Sequence, residues 1–210
     1  MKKFLKLALA VAALATMFGF ASCSNDSSND STATTPAATT TTTLTAADYK
    51  GKTFASEDGT AVFSFISESQ LFYGKFVEGN SSDYKYKIIN YSVSDGKVTA
   101  DGNKTASLSG TTLTVDDATL KLISGSNNSF AGKAFISENK KIFIAFISDS
   151  KVFAGLDNGD GTYANALEDY AVSGSTASWN VGINITATIS GDVLTEVAEG
   201  YGTYTLNLVK

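Results

Sequence analysis

An internal repeat constrains the fold of this chain more than any other feature of the sequence. Residues 51–74 align without gaps on residues 132–155, with 11 identities in 24 positions. Weaker matches follow in the same order as far as Leu122 and Leu208, and the register shifts only within loops. A fixed internal period indicates two copies of one structural unit. The identical pairs of the ungapped block are Gly51 with Gly132, Lys52 with Lys133, Phe54 with Phe135, Ser56 with Ser137, Glu57 with Glu138, Phe65 with Phe146, Ile66 with Ile147, Ser67 with Ser148, Ser69 with Ser150, Phe72 with Phe153 and Gly74 with Gly155.

Each copy consists of short runs rich in Phe, Tyr, Val, Ile and Thr, of which residues 61–67 and 70–77 are examples. Gly, Asp, Asn and Ser separate the runs, and this alternation is typical of β-strands joined by tight turns. Turns that contain glycine favour two-residue hairpins, because glycine accepts a positive φ. They are Asp95-Gly96, Asp101-Gly102 and Ser109-Gly110. Residues 45–50 predict one short helical turn, capped by Thr45.

The predicted fold is therefore all-β, with two tandem antiparallel meander units. Each unit holds about eight short strands, close to the number that closes a small barrel. The first unit is predicted over residues 44–124 and the second over residues 125–210, with a linker at residues 124–129. One alternative stays open, in which a single continuous barrel or sheet takes half of its strands from each repeat.

The first 22 residues have the layout of a secretory signal. Lysines precede an apolar run from Leu7 to Phe20, and two small residues then lead to Cys23. The run is shorter than the ~20 apolar residues that span a bilayer. Residues 23–43 are rich in Ser and Thr and hold no large apolar side chain, so they predict a disordered tether.

The segment Phe20-Ala21-Ser22-Cys23 resembles the lipobox of bacterial lipoproteins. The resemblance implies that residues 1–22 are a lipoprotein signal peptide, cleaved before Cys23, whose thiol then carries lipid. The chain is thus expected to be a palmitate-bearing lipoprotein of the cell envelope, held to the membrane by its N-terminal lipid. Ser24 after the cysteine favours the outer membrane. The chain has no second cysteine, so an intrachain disulfide is excluded.

The repeats resemble the small lipocalin-like domains of bacterial lipoproteins. The shared pattern is an aromatic residue, then Gly-x-x-aromatic, a Phe-rich strand, a hairpin and short strands that end in Asp-Gly or Ser-Gly. Such domains usually carry Trp in the first strand, where this chain has Phe54 and Phe135; its one Trp is Trp179. The resemblance implies small lipocalin-like β-barrels, either filled by their own side chains or holding one small ligand.

Missing residue types remove most catalytic chemistries. The chain has no His and no Arg, and the part after the signal carries 13 lysines against 21 acids, a net charge of about −8. This charge disfavours nucleic acid as a partner. No imidazole is available for a Ser-His-Asp or Cys-His mechanism, and no His/Cys set for zinc. We therefore expect a non-enzymatic protein without catalytic residues, metal or cofactor.

Acidic residues are the remaining candidates for chemistry. Glycosidase action needs two facing carboxyls, but sequence neighbours on a strand point to opposite faces, so we interpret the neighbouring acids as solvated acids near turns. They are Glu57-Asp58, Asp116-Asp117 and Glu168-Asp169. Residues 157–161 lack the spacing of a calcium loop and predict a hairpin loop. Repeated polar residues indicate a shared turn geometry; they are Ser56-Glu57 with Ser137-Glu138, and Glu68 with Asp149.

Aromatic residues alternate through the strands of both copies, and core packing is the simplest interpretation. They are Phe63, Phe65, Phe72, Phe76, Phe143, Phe146 and Phe153. Their bulk predicts filled interiors, which favours a surface-displayed module that binds an unknown protein or glycan partner through exposed loops. The longest loops, 77–84 and 156–166, differ most between the copies. The alternative is a carrier of a small apolar ligand inside one or both barrels, with its binding residues unassigned.

Overall fold

The computed structural model describes residues 43–101, 104–116, 118–125 and 127–210. The predicted signal peptide, Cys23 and the predicted tether as far as residue 42 lie outside the described residues, as do Gly102, Asp117 and Ser126. Within the described ranges, no helix combines the length and the hydrophobicity needed to cross a membrane.

A short helix, α1 (Ala46–Tyr49), precedes the first barrel, as predicted. Thr45 donates from its main-chain N and its Oγ1 to Asp48 Oδ2, at 2.7 and 2.8 Å, which fixes the start of the helix. Tyr49 is fully buried in the core of the first barrel. Its hydroxyl donates to the Gly96 carbonyl oxygen at 2.8 Å, so the helix is tied to a hairpin of that barrel.

The first copy of the repeat forms a closed antiparallel barrel, barrel 1. Its strands are β1 (Thr53–Ala55), β2 (Ala61–Phe65), β3 (Gln70–Lys75), β4 (Lys85–Ser94), β5 (Lys97–Ala100), β6 (Lys104–Ser109), β7 (Thr112–Val115) and β8 (Ala118–Leu122). Each strand pairs with the next, and β8 returns to pair with β1, where Phe54 opposes Leu122. Asp95 and Gly96 have φ values of 51° and 73°, so they form the predicted hairpin turn.

The second copy forms barrel 2 with the same strand order. Its strands are β9 (Ala134–Ser137), β10 (Ile142–Phe146), β11 (Lys151–Asp157), β12 (Tyr163–Asp169), β13 (Ala171–Ser173), β14 (Thr176–Asn180), β15 (Asn184–Ser190), β16 (Val193–Ala198) and β17 (Gly202–Leu208). β17 pairs with β9, where Phe135 opposes Leu208. There are nine strands because β12 and β13 stop on either side of Tyr170, whereas its counterpart Tyr91 lies within β4.

These pairings confirm the predicted all-β fold of two tandem antiparallel meanders. The alternative of one shared barrel is wrong, because each copy pairs its own first strand with its own last strand. The same four-ring cluster also recurs inside each barrel. The rings around Phe65 belong to Tyr49, Phe54 and Tyr91, with centroids 5.1, 6.1 and 5.1 Å away. The rings around Phe146 belong to Phe130, Phe135 and Tyr170, with centroids 5.1, 6.4 and 5.0 Å away.

A repeated glycine turn precedes the first strand of each barrel. Gly51 and Gly132 have φ values of 79° and 77°, a region that favours glycine over residues with a Cβ. Their main-chain N–H groups donate to the carbonyl oxygens of Phe65 and Phe146, at 2.8 Å in both copies. The turn explains why the repeat keeps a glycine at this position.

The two barrels belong to one compact unit and pack through an apolar surface, the inter-barrel face. Phe72 stacks on Phe143 with ring centroids 3.8 Å apart, and it also meets Phe153 at 6.4 Å. Three of the aromatics interpreted as barrel core therefore lie between the barrels. The buried residues of the face are Ala55, Val62, Phe72, Tyr86, Ile123, Ala134, Phe143, Ala145, Phe153 and Val209.

Hydrogen bonds cross the inter-barrel face in both directions. The Tyr86 hydroxyl of barrel 1 donates to the Lys140 carbonyl oxygen of barrel 2 at 2.7 Å. Asn165 of barrel 2 holds the aligned position and donates from Nδ2 to the carbonyl oxygens of Lys75 and Lys85, at 2.7 and 2.8 Å. Each barrel thus uses the same part of its outer wall to contact the other.

Candidate ligand cavity in the second barrel

Each barrel contains an apolar cavity that is partly open to solvent, of about 470 Å³ in barrel 1 and about 540 Å³ in barrel 2. The prediction of filled interiors is therefore wrong. It rested on the aromatic strands of the ungapped repeat, whereas much of the remaining wall carries alanine. In barrel 2 the alanines that line the cavity are Ala154, Ala164, Ala166 and Ala198.

Two aligned positions show how barrel 2 gains space. In barrel 1, Phe63 and Tyr73 face each other across β2 and β3, with ring centroids 4.7 Å apart. In barrel 2, the same cross-strand pair is Ile144 and Ala154, and both residues line the cavity. Smaller side chains thus replace an aromatic pair within an otherwise equivalent wall.

The mouth of the barrel 2 cavity carries exposed apolar side chains. Leu156, Val181 and Tyr201 are 38%, 39% and 72% exposed, and all three border the cavity. Clustered exposed apolar residues mark binding sites more often than single ones do. The rim is thus suited to an apolar molecule.

Barrel 1 contributes to the mouth of the barrel 2 cavity. The loop 77–84 contains a 3-10 turn (Ser81–Asp83) that packs beside β12. Phe76 and Tyr84 flank this loop, stack with ring centroids 5.5 Å apart and line the cavity. The loop that differs most between the copies therefore lies beside the site.

Glu196 is the buried acid of the barrel 2 cavity. It lies on β16 between Leu194 and Ala198, on the inward side of the strand, and only 8% of it is exposed. Its cross-strand neighbours are Ala187 and Tyr204. No hydrogen bond or ion pair joins the Glu196 side chain to another described residue, and burial raises the pKa of its carboxyl from 4.5 to about 7.

The fold does not require a carboxyl at this position. The repeat aligns Glu196 with Val115, since Leu113-Thr114 matches Leu194-Thr195. Val115 lines the barrel 1 cavity and opposes Ala106, just as Glu196 opposes Ala187. The sequence did not single out Glu196, because Glu196 has no adjacent acid and no acidic counterpart in the first copy. The signal was the alternation of β16, where Glu196 is the one charged residue on the inward side.

Trp179 supplies an optical probe inside the site. It is the one tryptophan of the chain, is 5% exposed and lines the barrel 2 cavity. Its ring meets Phe146 edge-on, with centroids 5.9 Å apart. Because barrel 1 contains no tryptophan, the intrinsic fluorescence of Trp179 reports on barrel 2.

The neighbouring acids Glu168 and Asp169 face opposite sides of β12. Glu168 points inward from β12 and lines the cavity, whereas Asp169 is exposed and pairs with Lys151 at 2.9 Å. The assignment of Glu168 to a turn is therefore wrong, because it lies within β12, where strand alternation turns it toward the cavity. Asp58 is a turn acid as predicted, and the hydrogen bond from Ser56 Oγ (2.6 Å) leads those that lower its pKa.

Barrel 1 has a charged mouth instead of an apolar one. Asp116 pairs with Lys104 at 2.9 Å, and Asp101 lies 3.8 Å from Lys87. All four side chains border the barrel 1 cavity. Exposed ion pairs of this kind contribute little to stability, but they make the mouth of barrel 1 polar.

The loop at residues 157–161 is a hairpin loop, as predicted. Asp157 Oδ1 accepts from the Gly159 N–H at 2.8 Å, and Asp160 Oδ1 accepts from the N and Oγ1 of Thr162 at 2.9 and 2.6 Å. Both carboxylates are thus used by the turn. Among the described residues, no three His, Cys, Asp or Glu side chains gather in a metal-binding arrangement.

The repeated serines also have the predicted turn role. Ser56 Oγ accepts from the Ala61 N–H at 2.9 Å, and Ser137 Oγ accepts from the Ile142 N–H at 2.9 Å. At the next turn, Asp149 accepts from the N and Nδ2 of Asn127, at 3.0 and 2.8 Å. These contacts close turns and do not form a site.

Comparisons with protein-family models, curated proteins and solved structures found no match to this chain. Inference about its function therefore rests on the residues and the geometry described above.

Proposed function

We propose that this chain is a non-enzymatic, lipid-anchored protein of the cell envelope that binds a small apolar ligand inside barrel 2. The main observation behind the proposal is the cavity of barrel 2. Its volume of about 540 Å³ lies within the range of about 300–1,000 Å³ that is typical of small-molecule sites. Its wall is mostly apolar, and its rim exposes Leu156, Val181 and Tyr201.

Ligand binding here takes precedence over the surface-display hypothesis favoured by the sequence. That hypothesis depended on filled interiors, and both barrels contain cavities instead. Barrel 2 is the better candidate of the two, because its mouth is apolar while oppositely charged pairs border that of barrel 1.

A titration with a neutral hydrophobic dye tests the proposal. The protein should start at Ser24, since the lipid on Cys23 would itself compete for an apolar cavity. We expect saturable quenching of Trp179, with one site per chain, as the dye fills barrel 2. Ile144→Phe with Ala154→Tyr should weaken dye binding, because these substitutions place the ring pair of barrel 1 in the larger cavity of barrel 2.

Val197→Thr is the matched control for this experiment. Val197 lies on β16 but faces outward and is 44% exposed, so its replacement should leave dye binding unchanged. A dye affinity that is unchanged in the double variant would contradict a site in barrel 2.

The anchoring part of the proposal has its own test. It is supported by the lipobox-like segment that ends in Cys23 and by Ser24, which favours the outer membrane. Labelling of cells with a palmitate analogue should tag the protein, and Cys23→Ser should remove the tag. A tag that remains on the Cys23→Ser protein would disprove lipid attachment at this residue.

A surface-displayed module that binds a protein or glycan is the second candidate, favoured by Tyr201, which is 72% exposed. The two candidates separate cleanly. A surface module should lose partner binding on Tyr201→Ser and keep it in the Ile144→Phe/Ala154→Tyr variant, whereas a carrier should bind its ligand more weakly in that double variant.

A further inference from the structure

We infer that the ligand of barrel 2 is a small amphiphilic amine, whose ammonium group pairs with Glu196 while its apolar part fills the cavity. The inference deepens the proposed function and rests on it. The observation behind it is a carboxyl placed in an apolar cavity without any partner among the described residues.

The burial of Glu196 makes its lack of a partner costly. Side chains of this type are almost never fully buried unless they are paired. Glu196 is 8% exposed, and the apolar residues Leu194 and Ala198 flank it on the same side of β16. The Tyr204 hydroxyl, from the adjacent strand, donates to the Tyr201 carbonyl oxygen at 3.4 Å instead. A ligand that brings a cation would supply the missing partner.

The charge balance of the cavity also selects against anions. Glu168 lines the same cavity, and none of the described residues that line it is a lysine. The chain contains no arginine and no histidine anywhere. A fatty-acid carboxylate would therefore face two acids and no base, whereas an ammonium group would be attracted by both.

Barrel 1 supplies an internal comparison for Glu196. Val115 holds the aligned position in a barrel whose first and last strands pair as they do in barrel 2. The carboxyl therefore contributes nothing that the fold needs, and its burial against apolar neighbours opposes stability. A role in recognition accounts for its presence.

Three probes with the same alkyl tail test the inference: octylamine, 1-octanol and octanoate. Each is titrated at pH 8 into the protein that starts at Ser24, and Trp179 fluorescence reports binding. We expect octylamine to bind more tightly than 1-octanol by about tenfold or more, since a buried ion pair gains far more than a solvated one. Octanoate should bind more weakly than 1-octanol.

Variants at Glu196 then assign the preference to one residue. Glu196→Val, which copies barrel 1, and Glu196→Gln, which keeps the shape of the side chain, should both lose most of the preference for octylamine over 1-octanol. Glu57→Gln removes an exposed carboxyl and should preserve the preference for the amine.

The outcomes separate this inference from the proposed function. If 1-octanol or octanoate binds as tightly as octylamine, barrel 2 binds apolar ligands but the inference is wrong. If none of the three probes binds, the proposed function fails and the inference fails with it. An unchanged preference for the amine in Glu196→Gln would also overturn the inference. The order of the three probe affinities in the unmodified protein tests the inference even if a variant does not fold.

Discussion

The position of Glu196 inside the barrel disfavours the ionised form of its carboxyl. An ionised carboxyl in an apolar environment is costly, so the folded protein keeps the proton to a higher pH than the unfolded chain does. The pKa of Glu196 accordingly rises from 4.5 to about 7. Glu168 is the other acid that lines the cavity, and the remaining titratable groups there are the phenols of Tyr84, Tyr201 and Tyr204.

The pH dependence of stability should reveal this cost. Between pH 4.5 and 7 the folded state holds a proton that the unfolded state has lost, so stability falls as the pH rises through this window and levels off above it. We expect Glu196→Gln to match the unmodified protein below pH 4.5 and to exceed it at pH 8 by up to about 3 kcal/mol. Urea unfolding followed by circular dichroism at both pH values measures the difference.

Glu57→Gln serves as the control for this stability measurement. Glu57 is exposed, so this substitution removes a carboxyl from the surface only. It should show no gain at pH 8. Equal stability of Glu196→Gln and the unmodified protein at pH 8 would mean that the Glu196 carboxyl ionises without hindrance in the folded state.

At the level of strands and turns, the sequence predicted what depends on neighbouring residues. Alternation and glycine turns identified the meander, and Thr45 identified the start of α1. The faces of β2 and β10 could not be assigned in this way. Both of their faces are buried, one against the barrel interior and the other against the second barrel, so Val62 and Phe63 look alike in the sequence.

The cavities escaped prediction for a related reason. Phe65 and Phe146 are bulky and do pack inside, as the sequence indicated. Whether space remains depends on the residues that face them from strands distant in sequence, such as Ala166 and Ala198. Glu168 was likewise assigned to a turn, because the extent of β12 was not evident from its sequence.

The glycine turn before β1 provides a prediction at this level. Gly51 has φ 79°, and a Cβ there would lie 2.5 Å from the main-chain carbon of Lys210. Gly79 has φ 70° with no atom within 4 Å. Each substitution by alanine should cost roughly 1–2 kcal/mol of backbone strain, and Gly51→Ala should cost more because of its contact with Lys210. Thermal unfolding compares the stability of the two variants. Equal losses of stability would show that Lys210 moves away from the added Cβ at no cost in free energy.

For the molecule as a whole, the inter-barrel face is the feature that could not be predicted from the repeat. Gly74 and Gly155 are identical in both copies because aromatic rings approach them closely. A Cβ at Gly74 would lie 2.6 Å from the Phe153 ring, and one at Gly155 would lie 3.1 Å from the Tyr86 ring. The same surface of each barrel contacts the other, as in the interface of a two-fold symmetric dimer.

Separation of the barrels should expose this apolar face. We expect the fragment 44–124 to self-associate even though its barrel closes, because Val62 and Phe72 become exposed. Phe72→Lys should reduce this association in size-exclusion chromatography. In the full chain Phe72 is buried, so its loss should be harmful. Phe72→Ala should lower the free energy of unfolding by about 3–5 kcal/mol, as for other buried phenylalanines.

Thr99→Lys is the control for both parts of this experiment, since Thr99 is exposed on β5, away from the face. It should alter neither the association of the fragment nor the stability of the full chain. A fragment that stays monomeric without substitution would show that the face is not needed to keep barrel 1 soluble.

The closing pairs of the two barrels have a consequence for the rate of folding. Barrel 1 depends on Phe54 meeting Leu122, and barrel 2 depends on Phe135 meeting Leu208. Both pairings join residues far apart in sequence, and such topologies fold slowly because chain entropy is lost before the contact is made. Barrel 1 pairs only its own strands, so it can close before barrel 2 has formed, when Phe143 and Phe153 do not yet cover Phe72. In that order of folding, the protein passes through a stage in which one barrel is complete and its apolar outer wall is still uncovered.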